Sequence, residues 1–274
     1  MTVRLLQMRM VEKPWGRDRL PPPFAAPSGA RIGEIWFEPP PELPQLLVKY
    51  LFTSEKLSVQ VHPSDDNALP GEAGKEECWL VLDSEGDARL AIGFDQAVAP
   101  DAIIDAAQAG TIEELLTWHP ARPGDFFYLP AGTVHAIGAG LALIEVQQNS
   151  DTTFRLYDYG RPRELHLDRA RAVSSGTPYP QEEMGCIASR GQMLVDGPHF
   201  RFDRVVGEPD AATHEAYAVG LLVLPLEGEL RSRADGTVAA AGECLYASAL
   251  DQLDFAAAKV TLLARPSLRR QALQ

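Results

Sequence analysis

The sequence contains little cysteine, and its cysteines are scattered. Its 274 residues include three, Cys78, Cys186 and Cys244, and no two of them have C-x-x-C spacing. An odd number of widely spaced cysteines does not suit a disulfide framework, which would require an oxidising compartment. We therefore expect a protein of the reducing cytoplasm.

Long apolar runs and an excess of positive charge are also lacking. No uninterrupted apolar stretch has membrane-spanning length, and residues 1–9 lack the apolar core and cleavage site of an export signal. The 25 Lys and Arg are outnumbered by 38 Asp and Glu, which gives a net charge of -13. This charge argues against nucleic acid or an anionic membrane as a partner, because both need a basic surface. An acidic protein can still bind a phosphorylated metabolite if a few basic side chains converge at one place.

Helical patterning is scarce as well. Residues 100–118 are the one convincing helical stretch: Pro100 suits a first turn, Gly110 interrupts the run, and Thr111 and Glu114 form a capping-box pattern. The remaining pattern indicates many short strands separated by Gly and Pro turns, which is typical of a sandwich or jelly roll. The sequence therefore predicts a mainly β fold, with two tandem jelly rolls and a small helical insertion.

A change of composition suggests where the two units meet. Residues 174–180 are rich in Ser, Gly and Pro, and a second run of short strands is predicted between residues 185 and 266. We therefore expect a catalytic domain at residues 1–173 and a C-terminal β domain at residues 174–274. The proline-rich N-terminal segment predicts irregular or edge structure, apart from a short strand at residues 33–37.

Residues 57–63 form a short apolar run that carries two side chains able to bind a metal, Gln60 and His62. Side chains alternate between the faces of a strand, so Ser58 would share one face with Gln60 and His62. Taken alone, such a stretch is more often a half-buried strand with a solvated polar face.

Two later segments add further ligand types. The strand period puts Lys75 and Glu77 on one face, and His135 follows a Pro-Ala-Gly turn at residues 130–132. A solvated strand charge would explain Glu77 alone, and a hydrogen-bonded turn residue would explain His135. Two imidazoles, a carboxylate and an amide oxygen together suit a borderline divalent ion such as zinc, with a position left for water or substrate. The predicted metal ligands are Gln60, His62, Glu77 and His135.

These segments together resemble the successive motifs of the type I mannose-6-phosphate isomerases, which belong to the cupin superfamily. Glu145, followed ten residues later by Arg155, is similar to that family's active-site Glu and Arg. The resemblance runs from about Trp15 to His166. It implies one zinc ion per chain, or another divalent metal, on the four predicted ligands. Because only residues 100–118 could represent the helical domain of longer members, the chain resembles the short bacterial form.

The resemblance implies the interconversion of mannose 6-phosphate and fructose 6-phosphate through an enediol. Such a reaction needs a base for the proton beside the carbonyl and a stabiliser for the enediolate oxygens. Glu145 is the expected base or orienting carboxylate, ranked slightly ahead of a zinc-bound water. Lys75 and Arg155 are the other expected catalytic residues. The expected substrate contacts are Ser58, Lys75, Arg155 and, as the least certain, Lys49.

Two other functions fit the same residue types. A cupin metal dioxygenase would also use histidines and a glutamate, with iron, and a sugar-phosphate-binding sensor would keep the fold without turnover. The remaining histidines carry less weight. His119 is expected to cap the end of the helical insertion and His166 to be structural, while His199 and His214 fall outside the predicted C-terminal core, a degenerate cupin.

Overall fold

Three antiparallel sheets make up most of the computed structural model, which describes residues 2–268. The five-stranded sheet contains β5 (Val59–Val61), β7 (Arg89–Phe94), β8 (Leu116–Pro120), β10 (His135–Ile137) and β12 (Phe154–Tyr157). Their spatial order is β12-β5-β10-β7-β8. The two strands that carry Gln60 and His135 are therefore neighbours.

A seven-stranded sheet contains β2 (Met8–Arg17), β3 (Ile32–Phe37), β4 (Leu46–Phe52), β6 (Glu77–Ser84), β9 (Asp125–Leu129), β11 (Leu141–Gln148) and β13 (Met184–Cys186). Its order is β13-β9-β6-β11-β4-β3-β2. Strand β11 is buried along its whole length, and its side chains alternate between two cores. Leu143 packs in the core shared with the five-stranded sheet, and Ile144 packs in the core on the other face.

An eight-stranded sheet covers that other face. It contains β1 (Val3–Leu5), β14 (Gln192–Asp196), β15 (Phe200–Val206), β16 (Leu221–Ser232), β17 (Val238–Ala240), β18 (Leu245–Ala247), β19 (Leu253–Asp254) and β20 (Ala258–Pro266). One apolar core joins Ile35 and Val48 of the seven-stranded sheet to Phe200 and Phe202 of this one. The seven-stranded sheet is therefore a middle layer, packed on both faces.

Three α-helices complete the described structure: α1 (Pro100–Ala109), α2 (Leu167–Val173) and α3 (Ala211–Ala216). Single 3-10 turns lie at Ile112–Leu115, Gln181–Glu183 and Leu250–Gln252. Helices α1 and α2 pack through Ile103, Ala107 and Ala170 against the outer face of the five-stranded sheet. Within residues 2–268, no helix is long and apolar enough to cross a membrane.

The mainly β architecture with a small helical insertion is confirmed, but the insertion is shorter than predicted. Helix α1 ends at Ala109 because Gly110 adopts a left-handed conformation, with φ 75°, and its N–H caps the last turn. The capping-box pattern instead forms a 3-10 turn, after which the chain enters β8. The prediction that His119 caps a helix is wrong, because His119 lies in β8 between the rings of Phe127 and Tyr179.

The two sequence units exchange strands across the predicted boundary. Strand β1 pairs with β18 in the C-terminal sheet, and β13, which follows residue 174, pairs with β9 in the middle sheet. Neither strand was predicted from its short sequence. The division at residues 173 and 174 stays a prediction, and each unit contributes an edge strand to the other.

Removing a large side chain from the core between the middle and eight-stranded sheets should destabilise the protein. Phe202 is fully buried there, so Phe202→Ala is expected to lower the free energy of unfolding by about 3–5 kcal/mol, through lost burial and the cavity left behind. Val206 lies on the same strand but is 40% exposed, so Val206→Ala is the matched control. Urea denaturation measures both. A loss below about 1 kcal/mol for Phe202→Ala would contradict this packing.

Candidate metal centre and active site

The predicted ligands meet between the five-stranded and seven-stranded sheets. His135 stands opposite Gln60 in the pairing of β10 with β5, and His62 follows the end of β5. Glu77 begins β6 in the facing sheet, so it approaches the histidines across the core and not from a neighbouring strand of the same sheet. Ligand atoms of His62, Glu77 and His135 lie within 4.8 Å of one another, and all three residues are buried.

The two histidines present the same ring nitrogen to Glu77. His62 Nδ1 lies 2.9 Å from the Thr152 carbonyl and His135 Nδ1 lies 2.9 Å from the Thr133 carbonyl. A carbonyl oxygen can only accept a hydrogen bond, so the proton of each neutral imidazole must be on Nδ1. The unprotonated Nε2 atoms of His62 and His135 then face Glu77, at 3.6 Å from Oε2 and 3.4 Å from Oε1 respectively. Backbone carbonyls orient metal-binding histidines in the same way.

Burial keeps both imidazoles neutral. It lowers the pKa of His62 well below the usual value, and Lys75 and His135 lower it further. Burial also lowers the pKa of His135, although Glu77 opposes this effect. Burial alone would raise the pKa of Glu77, but the positive charge of Lys75 holds it below its usual value. Two neutral imidazoles and an ionised carboxylate are the protonation states that a divalent metal needs.

The carboxylate of Glu77 lacks the hydrogen bonds that a buried carboxylate normally has. Neither oxygen has a donor with hydrogen-bond geometry, although Lys75 Nζ lies 2.6 Å from Oε2 as an ion pair. The same ammonium group lies 3.1 Å from His62 Nε2. A cation is thus already attracted to this donor set, and the chemistry of the donors fits a metal of the zinc type.

Gln60 lies beside the three candidate ligands but presents its amide nitrogen to one of them, His135. Its Nε2 is 3.2 Å from His135 Nε2, and its Oε1 accepts a hydrogen bond of 3.1 Å from Ser58. A 180° rotation of the amide exchanges these two atoms, so the amide oxygen is one rotation away from the histidines. The side chains of Ser58, Gln60 and His62 therefore share one face, as the strand period predicts.

A chain of alternating buried charges continues from Glu77. Lys75 Nζ also lies 3.7 Å from Glu145 Oε1, and Lys49 Nζ lies 2.8 Å from the same oxygen. Burial alone would raise the pKa of Glu145, but Lys49 and Lys75 hold it below the usual value. Burial would lower the pKa of Lys49, whereas Glu145 and Glu34 raise it. Both groups therefore stay ionised, and Trp79 Nε1 fixes the second oxygen of Glu145 with a hydrogen bond of 3.2 Å.

One cavity of about 120 Å³ is lined by Gln60, Lys49, Lys75, Glu77 and Glu145. A larger cavity, about 710 Å³, lies near Arg17 and Arg31, but its arginines already pair with Glu85 and Glu55. We assign the site to the smaller cavity because buried ionisable groups converge there. Among its lining residues, the sequence did not indicate a site role for Lys13, Trp15, Glu34, Asp151, Thr153 and Arg163.

Arg155 and Arg163 bring positive charge to the cavity from the side of β12. Arg155 stands opposite Gln60 in the five-stranded sheet, whereas Glu145 belongs to the seven-stranded sheet, so the two residues line the cavity from different sheets. Its Nε is buried without a hydrogen-bond partner. Arg163 is held by two hydrogen bonds of 2.6 Å from its guanidinium to the buried carboxylate of Asp158. In the sequence, the only indication of a site role for Arg163 is that it follows Arg155 closely. The structure shows that the segment after β12 folds back and places Arg163 at the cavity.

Comparison with known proteins confirms the resemblance that the motifs predicted. No family model matches the chain. The Bacillus subtilis protein named Mannose-6-phosphate isomerase ManA is 45% identical over 145 residues, which are 50% of this chain and 46% of that protein. The chain thus spans about half the length of the curated relatives it matches.

Solved structures show the same fold over nearly the whole chain. The crystal structure of the mannose 6-phosphate isomerase from Bacillus subtilis superimposes with a TM-score of 0.79 and 27% identity, covering 97% of this chain and all of that one. A zinc-bound mannose 6-phosphate isomerase superimposes with a TM-score of 0.70 at 15% identity, covering 98% of this chain and all of that one. At this low identity, the second likeness concerns the fold alone.

Removal of one imidazole should impair metal binding. We expect His135→Ala to lower the affinity for zinc by more than about 100-fold, a larger loss than that caused by changing a residue behind a ligand. Competition with a chromophoric chelator measures the affinity. The control is His214→Ala, on α3 and outside the site. Equal zinc affinity in the His135→Ala and wild-type proteins would remove His135 from the ligand set.

Proposed function

We propose that this protein is a zinc-dependent mannose-6-phosphate isomerase that converts mannose 6-phosphate to fructose 6-phosphate and back. The observation that carries the proposal is the buried cluster of His62, Glu77 and His135, in which Glu77 also lines the cavity that contains the ion-paired Glu145. We infer the substrate from the similar proteins, which are named mannose-6-phosphate isomerases. A metabolic enzyme of this kind would work in the cytoplasm.

Four side chains would hold the zinc ion: Gln60, His62, Glu77 and His135. Both histidines already have the required tautomer, and Gln60 needs only the rotation of its amide. When bound, zinc acts as a Lewis acid that polarises a carbonyl or hydroxyl oxygen of the sugar. The ammonium group of Lys75 lies 3.1 Å from His62 Nε2 and 2.6 Å from Glu77 Oε2, so it would have to move away from these two ligands for the metal to bind.

Glu145 is the proposed base. Aldose–ketose isomerisation removes a proton from C2 and returns it to C1, so one carboxylate can serve both transfers. Glu145 is ionised and held in one position by Trp79 and Lys49, which supports this role. Lys49 and Lys75 are the proposed donors to the enediolate oxygens, where charge develops during the reaction. Ser58, which bonds to Gln60, would contact a sugar hydroxyl.

The phosphate group would bind at the side of the cavity where Arg155 and Arg163 lie. Guanidinium groups match the geometry of a phosphate, and Asp158 holds Arg163 in place before substrate arrives. The residues that line the cavity include five Lys and Arg against four Asp and Glu, whereas the whole chain is acidic. The net charge of -13 disfavours nucleic acid and anionic membranes as partners, but it is compatible with a small anionic substrate that binds at basic side chains in the cavity.

The proposal is tested by a coupled assay of zinc-loaded protein with mannose 6-phosphate as the substrate. We expect fructose 6-phosphate to form, the reverse reaction to proceed, and activity to disappear with a chelator and return with zinc. Oxygen uptake by iron-loaded protein, in the absence of isomerase activity, would contradict the proposal and favour a dioxygenase. Tight binding of the sugar phosphate without turnover would favour a sensor.

The role of Glu145 is tested in the same assay. Glu145→Gln keeps the size of the side chain and its acceptor for Trp79, and it should lower kcat by about 100- to 10,000-fold, the usual contribution of a positioned base. Exchange of the C2 proton of mannose 6-phosphate with deuterated water should fall in parallel. Undiminished exchange would show that another group moves the proton.

A further inference from the structure

His199 belongs to the C-terminal unit yet lies behind the metal-binding segment. It sits in the turn between β14 and β15, and its side chain is 8% exposed. Its two ring nitrogens face two carboxylates of the N-terminal unit. His199 Nδ1 lies 3.8 Å from Asp65 Oδ2, and His199 Nε2 lies 3.5 Å from Glu76 Oε1.

Asp65 and Glu76 mark the two ends of the loop that separates His62 from Glu77. The loop is closed at its base by a hydrogen bond of 2.9 Å from the Lys75 N–H to the Pro63 carbonyl. Asp65 Oδ1 accepts from the Gly74 N–H at 2.8 Å and from Gln148 Nε2 at 3.0 Å. Asp65 therefore holds the two ends of the loop together, three residues after His62 in the sequence.

Glu76 points away from the cavity, on the face of its segment opposite Lys75 and Glu77. Its backbone N–H donates to Gln148 Oε1 at 2.9 Å, and its carboxylate accepts a hydrogen bond from Tyr128 Oη. The other carboxylate oxygen faces His199. Glu76 is thus anchored on its outer side while its two neighbours in sequence reach into the site.

The C-terminal turn is shaped to approach this anchor closely. Gly197 begins the turn, and a Cβ at this position would lie 2.8 Å from Tyr128 Oη, closer than real Cβ contacts allow. Phe200, at the other end of the turn, packs edge-on against the ring of Tyr128 at 5.9 Å. Glycine therefore permits the contact that brings His199 between Asp65 and Glu76.

We propose that His199 is a positioning residue through which the C-terminal unit fixes the metal-binding segment. By bridging Asp65 and Glu76, it holds the loop so that His62 and Glu77 face each other before metal binds. A segment ordered in advance loses less conformational entropy on binding, which raises affinity. The inference rests on the metal site of the proposed function, and it gives the C-terminal unit a role in that site.

The test compares the zinc affinity of His199→Phe with that of the wild-type full-length protein, by competition with a chromophoric chelator. Phenylalanine preserves the ring but has no nitrogen to face either carboxylate. We expect the zinc Kd to rise about tenfold, the low end of the effects seen for residues that support metal ligands. His199→Gln, which keeps a donor, should recover part of the loss. The matched control is His214→Phe, and its Kd should stay within about twofold of the wild type.

The readout separates positioning from general stability because the Kd is measured on folded protein, as judged by circular dichroism. A wild-type Kd in folded His199→Phe would overturn the inference. Failure of the wild-type protein itself to bind zinc would instead overturn the proposed function. If His199→Phe does not fold, Gly197→Ala gives the same test, because its added methyl group displaces the turn from Tyr128. Unchanged zinc affinity in folded Gly197→Ala would then contradict the inference.

Discussion

The site depends on the pairing of buried charges across two facing sheets. Glu77 and Glu145 are both almost fully buried, and an isolated carboxylate in such a place would cost several kcal/mol or more. Lys75 lies between them and Lys49 lies beyond Glu145, so each negative charge has a positive neighbour. This alternation keeps the carboxylates ionised in the interior, and an ionised carboxylate can serve as a metal ligand or as a base.

The layers of the fold explain why those charges converge. The seven-stranded sheet is packed on both faces, so alternate residues of β11 go to different environments. Ile144 and Val146 enter the apolar core shared with the eight-stranded sheet, whereas Glu145 points to the cavity. The C-terminal unit covers the back of the sheet that carries Glu77. Its turn at His199 also reaches the segment beside Glu77.

Much of this arrangement could be predicted from the sequence because strand alternation is a local property. The period of two predicts Ser58, Gln60 and His62 on one face. In the structure Ser58 and Gln60 are hydrogen-bonded, and Gln60 and His62 both lie beside His135. The packing of one sheet on another is not local, so the sequence could not show that Glu77 and Arg155 line the cavity from different sheets. His119 illustrates the same limit. Its position before a proline, after a helical pattern, suggested a helix end, but the segment pairs with β7 and forms the strand β8. Arg163 was missed because its loop returns to the cavity only through the buried Asp158.

X-ray absorption at the zinc edge of the zinc-loaded protein tests the central claim most directly, because it reports the atoms bound to the metal. The account predicts a shell of nitrogen and oxygen at about 2.0–2.2 Å with the outer scattering of two imidazoles. The imidazole signal should be lost when His62 and His135 are both replaced by alanine. A sulfur neighbour at about 2.3 Å, or an unchanged spectrum in the double variant, would contradict the account by placing the metal elsewhere.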